Sequence, residues 1–478
     1  MKHPKYLDRQ TKIVATIGPA TGSALMIERL IKAGMNCARS NLSHGTFADH
    51  AHYIGTVRKI GQRLANPVAI LVDLPGPKYR TGDIKGGSAT LRKGARFTLT
   101  TRQIEGNDTM VSVNYPNLTQ DIKVGDTVLI DDGALQLKVQ KTSDTEIECR
   151  IVAGGVLTHG KGVAVPGMHN SVPFMTDHLR EQIGFAVEER ADYIALSFVS
   201  SADDVVQARA VLAQKKSDIP LIAKIERDEA VSNFASILMA SDGIMVARGD
   251  LGVDIPLEKV PLVQKQLIKE CNRAGKPVIT ATQMLESMIN SARPTRAEVT
   301  DVANAIFDGT DAVMLSAETA IGKYPVEAIK MMAQVARETE KELPLEHLLI
   351  ERGREVKPQT DEMISYDACH TAHELGAVAI VAFTHSGSTA RRVSKYRPKI
   401  PVLAITPQPH VGGRLLLCWG VHPFQIAVTP SLTELFNTGA RLAMQMGLAR
   451  SGDLIVITGG IPIGVSGTTN LLKVERCP

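Results

Sequence analysis

Short apolar runs rich in Val, Ile and Ala alternate along the chain with longer stretches whose apolar residues recur at helical spacing. The first pattern suits buried strands and the second amphipathic helices, so the chain predicts a βαβα rhythm with parallel sheets covered by helices. Near the N-terminus, strands are expected at 12–18 (KIVATIG), 36–42 (NCARSNL) and 68–74 (VAILVDL), separated by helices at 23–32 and 47–64. The rhythm then breaks. Residues 75–173 are Gly- and Thr-rich, with alternating runs such as ARFTLT, DTVLID and LQLKV between turn signals at 106–108, 125–126 and 132–133. They predict a separate, inserted β domain. Strands resume at 192–199, 220–226, 243–250, 277–284 and 311–318, with helices at 260–273 and 296–307 among them.

Three strands before the insertion and five after it make eight, the number that closes a (β/α)8 TIM barrel, here from residues 1–74 and 174–343. A charged stretch at 338–361 leads into a third region, 344–478. Its runs AVAIVAFT, PVLAIT, FQIAV, DLIVIT and TNLLKVE predict an open α/β domain.

Composition narrows the class. Of 478 residues, 44% are hydrophobic and 22% charged, a soluble globular balance that excludes wholesale disorder. The net charge of +4 is spread without basic clusters, so no nucleic-acid partner is expected. The longest apolar runs, such as 377–383, are too short to cross a bilayer, and the N-terminus MKHPKYLDRQTK lacks the apolar core of a signal peptide. The chain is therefore expected in the cytoplasm, away from membranes. Cys37, Cys149, Cys271, Cys369, Cys418 and Cys477 are widely spaced with no C-x-x-C pair, which predicts reduced core thiols rather than a zinc site.

In such barrels the reacting groups stand at the C-terminal strand ends. Polar residues end six of the eight expected strands: Arg39, Asn41 and Ser43; Asp73; Lys224 and Glu226; Arg248 and Asp250; Thr282; Ser316 and Glu318. One such residue is as easily a solvated strand end, but six strands at the same end predict one shared polar site. Residues two apart in a strand face the same side, so Lys224 and Glu226 point together, as a structural ion pair or as a charge-stabilising ammonium beside a metal carboxylate. Asp250 offers a second carboxylate, and two carboxylates with open positions suit Mg²⁺. Arg39, Arg80 and Lys224 around that ion predict a phosphate-bearing ligand. His44 is either a general base or a loop residue bonded locally. The amides of Gly249-Asp250-Leu251-Gly252, before a helix, suit a carboxylate. No G-x-x-x-x-G-K-[ST], G-x-G-x-x-G or H-E-x-x-H is present.

The segments TKIVATIGPA, ARSNLSHG, DLPGPKYRTG, LIAKIERDEAV, MVARGDLGVDIP, ITATQMLESMI and RPTRAEVTDVANAIFDGTDAVMLSAETA together resemble pyruvate kinase over essentially the whole length. The resemblance implies a barrel, a β-barrel-like lid inserted after strand three and a C-terminal α/β domain. It also implies Mg²⁺-dependent (or Mn²⁺-dependent) phosphoryl transfer from phosphoenolpyruvate to ADP, giving pyruvate and ATP. Carried over by motif, Lys224 stabilises the phosphoryl group in flight, Glu226 and Asp250 hold Mg²⁺, and Arg39 holds the phosphate. Gly249, Asp250 and Thr282 hold the carboxylate, and Thr282, Ser316 and Glu318 border the face where the enolate is protonated. Asn41, Leu42, Ser43, His44, Arg80 and Lys161 match nucleotide positions. A homotetramer is implied by analogy.

One departure stands out. Around the family's K⁺ position, Asn41, Ser43 and Asp73 are kept, but Leu74 replaces a Thr and Lys78 a Glu, so K⁺ is expected to be dispensable with the Lys78 ammonium in its place. In the C-terminal domain, Thr384, His385, Ser386, Gly387, Ser388 and Thr389 follow a strand and open a helix. They form either an ordinary capped helix or the family's effector site. The late loop GGIPIGVSGTT has no Arg or Lys, which favours a sugar monophosphate or AMP over a bisphosphate. Two competing functions remain, a Mg²⁺-dependent lyase or aldolase acting through an enolate and a non-catalytic metabolite sensor. The first leaves Lys224 and the inserted domain unexplained; the second leaves the intact set Lys224, Glu226, Asp250 and Thr282 unexplained.

Overall fold

A computed structural model describes residues 8–76, 78–168, 171–427, 431–462, 465 and 467–478. Eight parallel strands close into a barrel: β1 (Lys12–Thr16), β2 (Cys37–Asn41), β3 (Ala69–Leu74), β4 (Tyr193–Leu196), β5 (Leu221–Ile225), β6 (Gly243–Ala247), β7 (Val278–Ala281) and β8 (Ala312–Leu315). Each strand pairs with its sequence neighbours, and β8 returns to β1. Helices cover the outside. Ile13 and Ala15 point into the helix-facing core while Val14 points into the barrel, the period-2 alternation of a strand buried on both faces.

The expected strands are real but, except for β3, run too long at their C-terminal ends. β6 stops at Ala247, where 243–250 was expected, and a helix Arg248–Asp254 begins at once; β8 stops at Leu315, before a helix Ala317–Ala320. Apolar periodicity carries on across a sharp strand-to-helix corner and does not mark it. The helix expected at 296–307 is found over Arg296–Phe307, fixed by a capping box between Thr295 and Glu298.

Between β3 and β4 a seven-stranded, mostly antiparallel sheet forms its own core around Phe97, Leu99, Val128, Leu137 and Ile147. The C-terminal region is a five-stranded sheet, parallel except for its last strand, Thr469–Arg476. The strand expected from FQIAV lies earlier, at Val421–Gln425, and its residue 428 falls outside the described residues. The charged stretch 338–361 holds the end of the helix Pro325–Lys341 and a further helix, Leu345–Gly353. Among the described residues no helix is long and apolar enough to cross a membrane.

The C-terminal domain closes the bottom of the barrel. Leu416 and Leu417 belong to the same apolar cluster as the inward-facing Val14, Leu71, Ile222 and Ile279. Buried Arg397 donates to Asp311 Oδ1 at 2.7 Å, Asn272 Oδ1 at 2.6 Å and the Gly309 carbonyl at 2.6 Å, with its guanidinium over Trp419. Removing one partner of a buried ion pair strands the other. Arg397→Ala is expected to destabilise the chain by about 3–5 kcal/mol, read as a lower urea midpoint; a loss below about 1 kcal/mol contradicts this account of the joint.

Candidate active site

The alternation that fills the barrel also builds its mouth. Cys37, Ala69, Leu71 and Ile222 face inward low in the barrel. One pleat further, the same faces of β2, β3 and β5 present Arg39, Asp73 and Lys224 instead. Asp73, 1% exposed, is the centre: its Oδ2 accepts from Arg39 Nε at 2.7 Å and its Oδ1 from Lys224 Nζ at 3.2 Å. Arg39 Nη1 also donates to Thr16 Oγ1 at 2.9 Å, and Lys224 Nζ to Ser197 Oγ at 2.6 Å. Burial pushes the Asp73 carboxyl up, but Arg39 and Lys224 outweigh it and hold Asp73 below the ordinary aspartate range. Burial works against the Lys224 ammonium too; Asp73 and Glu226 overcome it and raise its pKa, so the ammonium stays charged.

Glu226 follows β5, and the expected pairing with Lys224 is present at 3.0 Å. Phe198, at a φ of 55° that a bulky residue rarely adopts, aims its N–H at Glu226 Oε2 at 2.5 Å. Burial raises the Glu226 pKa, and the nearby charge of Asp250 adds to the rise against the pull of Lys224. Glu226 and Asp250 line one cleft of about 750 Å³ between the barrel and the inserted sheet. Among the described residues no cluster of three or more His, Cys, Asp and Glu gathers as a closed metal cage. Two hard carboxylates, one burdened by burial and by its neighbour, fit a Mg²⁺ that takes its remaining oxygens from substrate and water.

Lys78 lands elsewhere than the sequence implied. Its ammonium sits 2.9 Å from Asp250 Oδ1 and over the Phe198 ring, and among the described residues no hydrogen bond or ion pair joins it to Asn41, Ser43 or Asp73. Leu74 is fully buried, and Asn41 Oδ1 accepts from the Ser43 amide at 3.3 Å.

The ends of β6 to β8 hold one another. Buried Arg248 donates to Asp301 Oδ1 and to the Thr282 carbonyl, each at 2.7 Å, which fixes Thr282 at a φ of 67°. The Gly249 amide, expected to face a substrate carboxylate, donates to Thr282 Oγ1 at 2.7 Å, and Gly249 and Asp250 lie in the first turn of a helix rather than at a strand end. Glu318 accepts from the Leu285 amide at 3.2 Å and the Ser316 amide at 2.7 Å, so it ties two loops together.

Of the nucleotide positions, Leu42 is buried, with its amide on the Asp73 carbonyl at 3.0 Å, while Ser43 and His44 are exposed. His50, which sequence reasoning missed, holds this loop: its ring bridges Ser40 Oγ and the His44 carbonyl, both at 2.7 Å. The only signal for it is its place on the first turn of a helix capped by Thr46. Ser197 and Thr16 were missed as well. Arg80 and Lys161 stay within the inserted domain, on the Gly160 carbonyl and on Asp131 Oδ1, both at 2.9 Å, and neither lines the cleft.

In the C-terminal domain, Thr384, His385, Ser386, Ser388 and Thr389 line a cavity of about 730 Å³, beside Gly387 at a φ of 84°. The Thr384 hydroxyl is buried without a hydrogen-bond partner, and no Arg or Lys is among the described lining residues. Residues 463, 464 and 466 of the late loop lie outside the described residues.

Residues 8–329 match the family model for pyruvate kinase, barrel domain, and residues 362–475 the model for pyruvate kinase, alpha/beta domain. The chain is 45% identical over 469 residues to the pyruvate kinase of Clostridium acetobutylicum, covering 98% of this chain and 99% of that one. It is 47% identical over 469 residues to the pyruvate kinase of Staphylococcus aureus (strain USA300), covering 98% of this chain and 80% of the relative. Among solved structures it is similar to a pyruvate kinase from Cryptosporidium parvum, with a TM-score of 0.94 and 38% identity over 99% of this chain and 97% of that one.

Lys224→Met removes a charge that depresses Asp73 and offsets the burial of Glu226. A depressed carboxyl contributes stability that is present above its unfolded pKa and lost as pH falls through the folded value. In the wild type that loss comes below the ordinary aspartate range; in the variant both carboxyls titrate higher. The stability gap between wild type and Lys224→Met, read as the difference in urea midpoint, is therefore expected to narrow as pH falls from neutral through the carboxylate range, and a gap that does not change with pH contradicts the cluster's electrostatics.

Proposed function

The chain belongs to the pyruvate kinase family and is a phosphotransferase, and we propose that it moves the phosphoryl group of phosphoenolpyruvate to ADP at the barrel mouth with Mg²⁺ held by Glu226 and Asp250. The observation that carries the reading is Lys224: a raised-pKa ammonium fixed between Asp73, Ser197 and Glu226, the last of which lines the cleft with Asp250. When bound, Mg²⁺ would neutralise negative charge on substrate oxygens.

The chain's own residues supply alignment and positive charge, which is most of what phosphoryl transfer asks of a protein. Asp73 and Thr16 fix Arg39 through Nε and Nη1, which leaves Nη2 for a phosphate oxygen. Lys224 places its charge where the phosphoryl oxygens pass. Thr282 borders the face where the enolate takes its proton, and Glu318, committed to two amides, positions that loop rather than supplying the proton. Asn41 to His44 receive the nucleotide, with Arg80 and Lys161 brought to its phosphates as the inserted domain closes and excludes water. The Thr384–Thr389 segment serves a sugar monophosphate or AMP effector. A homotetramer in the cytoplasm belongs to the same reading.

Pyruvate formation from phosphoenolpyruvate is expected to require both ADP and Mg²⁺, whereas a lyase or aldolase has no use for ADP. Lys224→Met is expected to lower kcat by about 10²–10³ or more, the scale for removing one preorganised charge stabiliser, while Mg²⁺ binding is largely kept. A near-normal kcat would remove Lys224 from the mechanism.

Lys78 already brings a tethered cation to Asp250, and Leu74 removes a K⁺ ligand. Activity with Na⁺ or Tris as the sole monovalent cation is expected to match that with KCl, and Lys78→Glu to impose K⁺ dependence. A large loss restored by KCl in the wild type overturns this.

A further inference from the structure

β2 alternates between the barrel interior and the helices outside it. Cys37 and Arg39 face inward, Ala38 faces outward into the apolar layer under the helix Phe47–Arg63, and Ser40 takes the next outward place. Ile54, Val57 and Ile60 of that helix fill the layer. Ser40 and His50, each 4% exposed, therefore form a polar pair at a place where apolar side chains would pack. A buried polar pair is tolerated only when its hydrogen bonds are made, and both are made here.

The two contacts assign the ring's tautomer. A carbonyl oxygen only accepts, so Nε2 carries the proton and donates to the His44 carbonyl at 2.7 Å. Nδ1 is then bare and accepts from the Ser40 hydroxyl at 2.7 Å. Burial lowers the His50 pKa below the ordinary histidine value, against the opposing pull of the His44 carbonyl and Asp49, and so favours this neutral form. The contacts run in one chain: β2 to Ser40, Ser40 to His50, His50 to the loop that follows β2.

That loop is weakly held otherwise. The Leu42 amide donates to the Asp73 carbonyl at 3.0 Å, but the Ser43 amide meets Asn41 Oδ1 at 3.3 Å and the His44 amide the Asn41 carbonyl at 3.4 Å. Ser43 and His44 are exposed, and Gly45 turns the chain at a φ of 78°. The bond from His50 is the shortest of these. We propose that His50 is a positioning residue for ADP: through Ser40 it ties the loop Asn41–His44 to the strand that carries Arg39, and so sets where the diphosphate lies relative to the phosphoryl group it receives. The proposal rests on the reading of Asn41 to His44 as nucleotide positions. Buried under the helix, His50 touches no substrate and acts only through the loop.

Steady-state kinetics of the full chain with each substrate varied, paired with calorimetric titration of ADP in the presence of Mg²⁺, test it. His50→Leu keeps apolar bulk and removes both contacts. It is expected to raise KM and Kd for ADP about fivefold to tenfold, the scale of one neutral hydrogen bond, and to leave KM for phosphoenolpyruvate within about twofold. His50→Gln, whose amide N–H can reach the His44 carbonyl, is expected to recover part of the loss, and Ser40→Ala to shift ADP in the same direction by less. Ile54→Ala, one turn further along the helix in the same apolar layer, is expected to lower the urea midpoint and keep both KM values. The proposal is overturned if a folded His50→Leu binds ADP as the wild type does, if both KM values rise together, if His50→Gln recovers nothing, or if Ile54→Ala reproduces the ADP shift. Failure of the proposed reaction would show in the wild type itself, as no ADP-dependent pyruvate, whereas the His50 inference fails only between variants, which the titration reads with or without turnover.

Discussion

Asp73 is a fully enclosed carboxylate that holds two cations, Arg39 and Lys224, on its two oxygens. Burying three charges in a barrel is favourable only when each finds its partners, and here Thr16, Ser197 and Glu226 supply most of the remainder. The consequence is geometric as much as energetic. Long, flexible cationic side chains are locked before any ligand arrives, so the ordering that phosphate binding usually demands is already made.

The fold makes that arrangement possible by changing residue type along one inward face. Low in the barrel the face is apolar and is sealed from below by Leu416 and Leu417; at the mouth it turns ionic. The sharp corners after β6, β7 and β8 then turn Asp250, Thr282 and Ser316 toward the same end, with Arg248 and Glu318 bracing the corners. The sealed floor is also the joint with the C-terminal domain, so the site and that domain share one set of strands.

Much of this was legible in the sequence. Eight apolar runs announced eight strands, and the two-residue spacing of Lys224 and Glu226 announced an ion pair that the structure shows at 3.0 Å. Strand ends were not legible, because apolar spacing continues across the corner at Arg248. Lys78 was legible as a cation but not as the partner of Asp250, which lies 172 residues away across the joint with the inserted sheet. His50, Ser197 and Thr16 were invisible for the same reason: each acts through one or two polar contacts, with no periodicity to mark it. Arg80 was legible as a cation for a phosphate-bearing ligand, whereas Lys161 came only from the family resemblance; their own contacts keep both within the inserted domain.

The central claim is that Asp73, Arg39 and Lys224 act as one unit, and a double-mutant cycle on kcat/KM for Asp73→Asn and Lys224→Met measures it most directly. The account predicts strong coupling: with Lys224 gone, neutralising Asp73 costs far less than it does in the wild type. Additive losses would show that the two groups work independently, and the unit would dissolve into separate contacts.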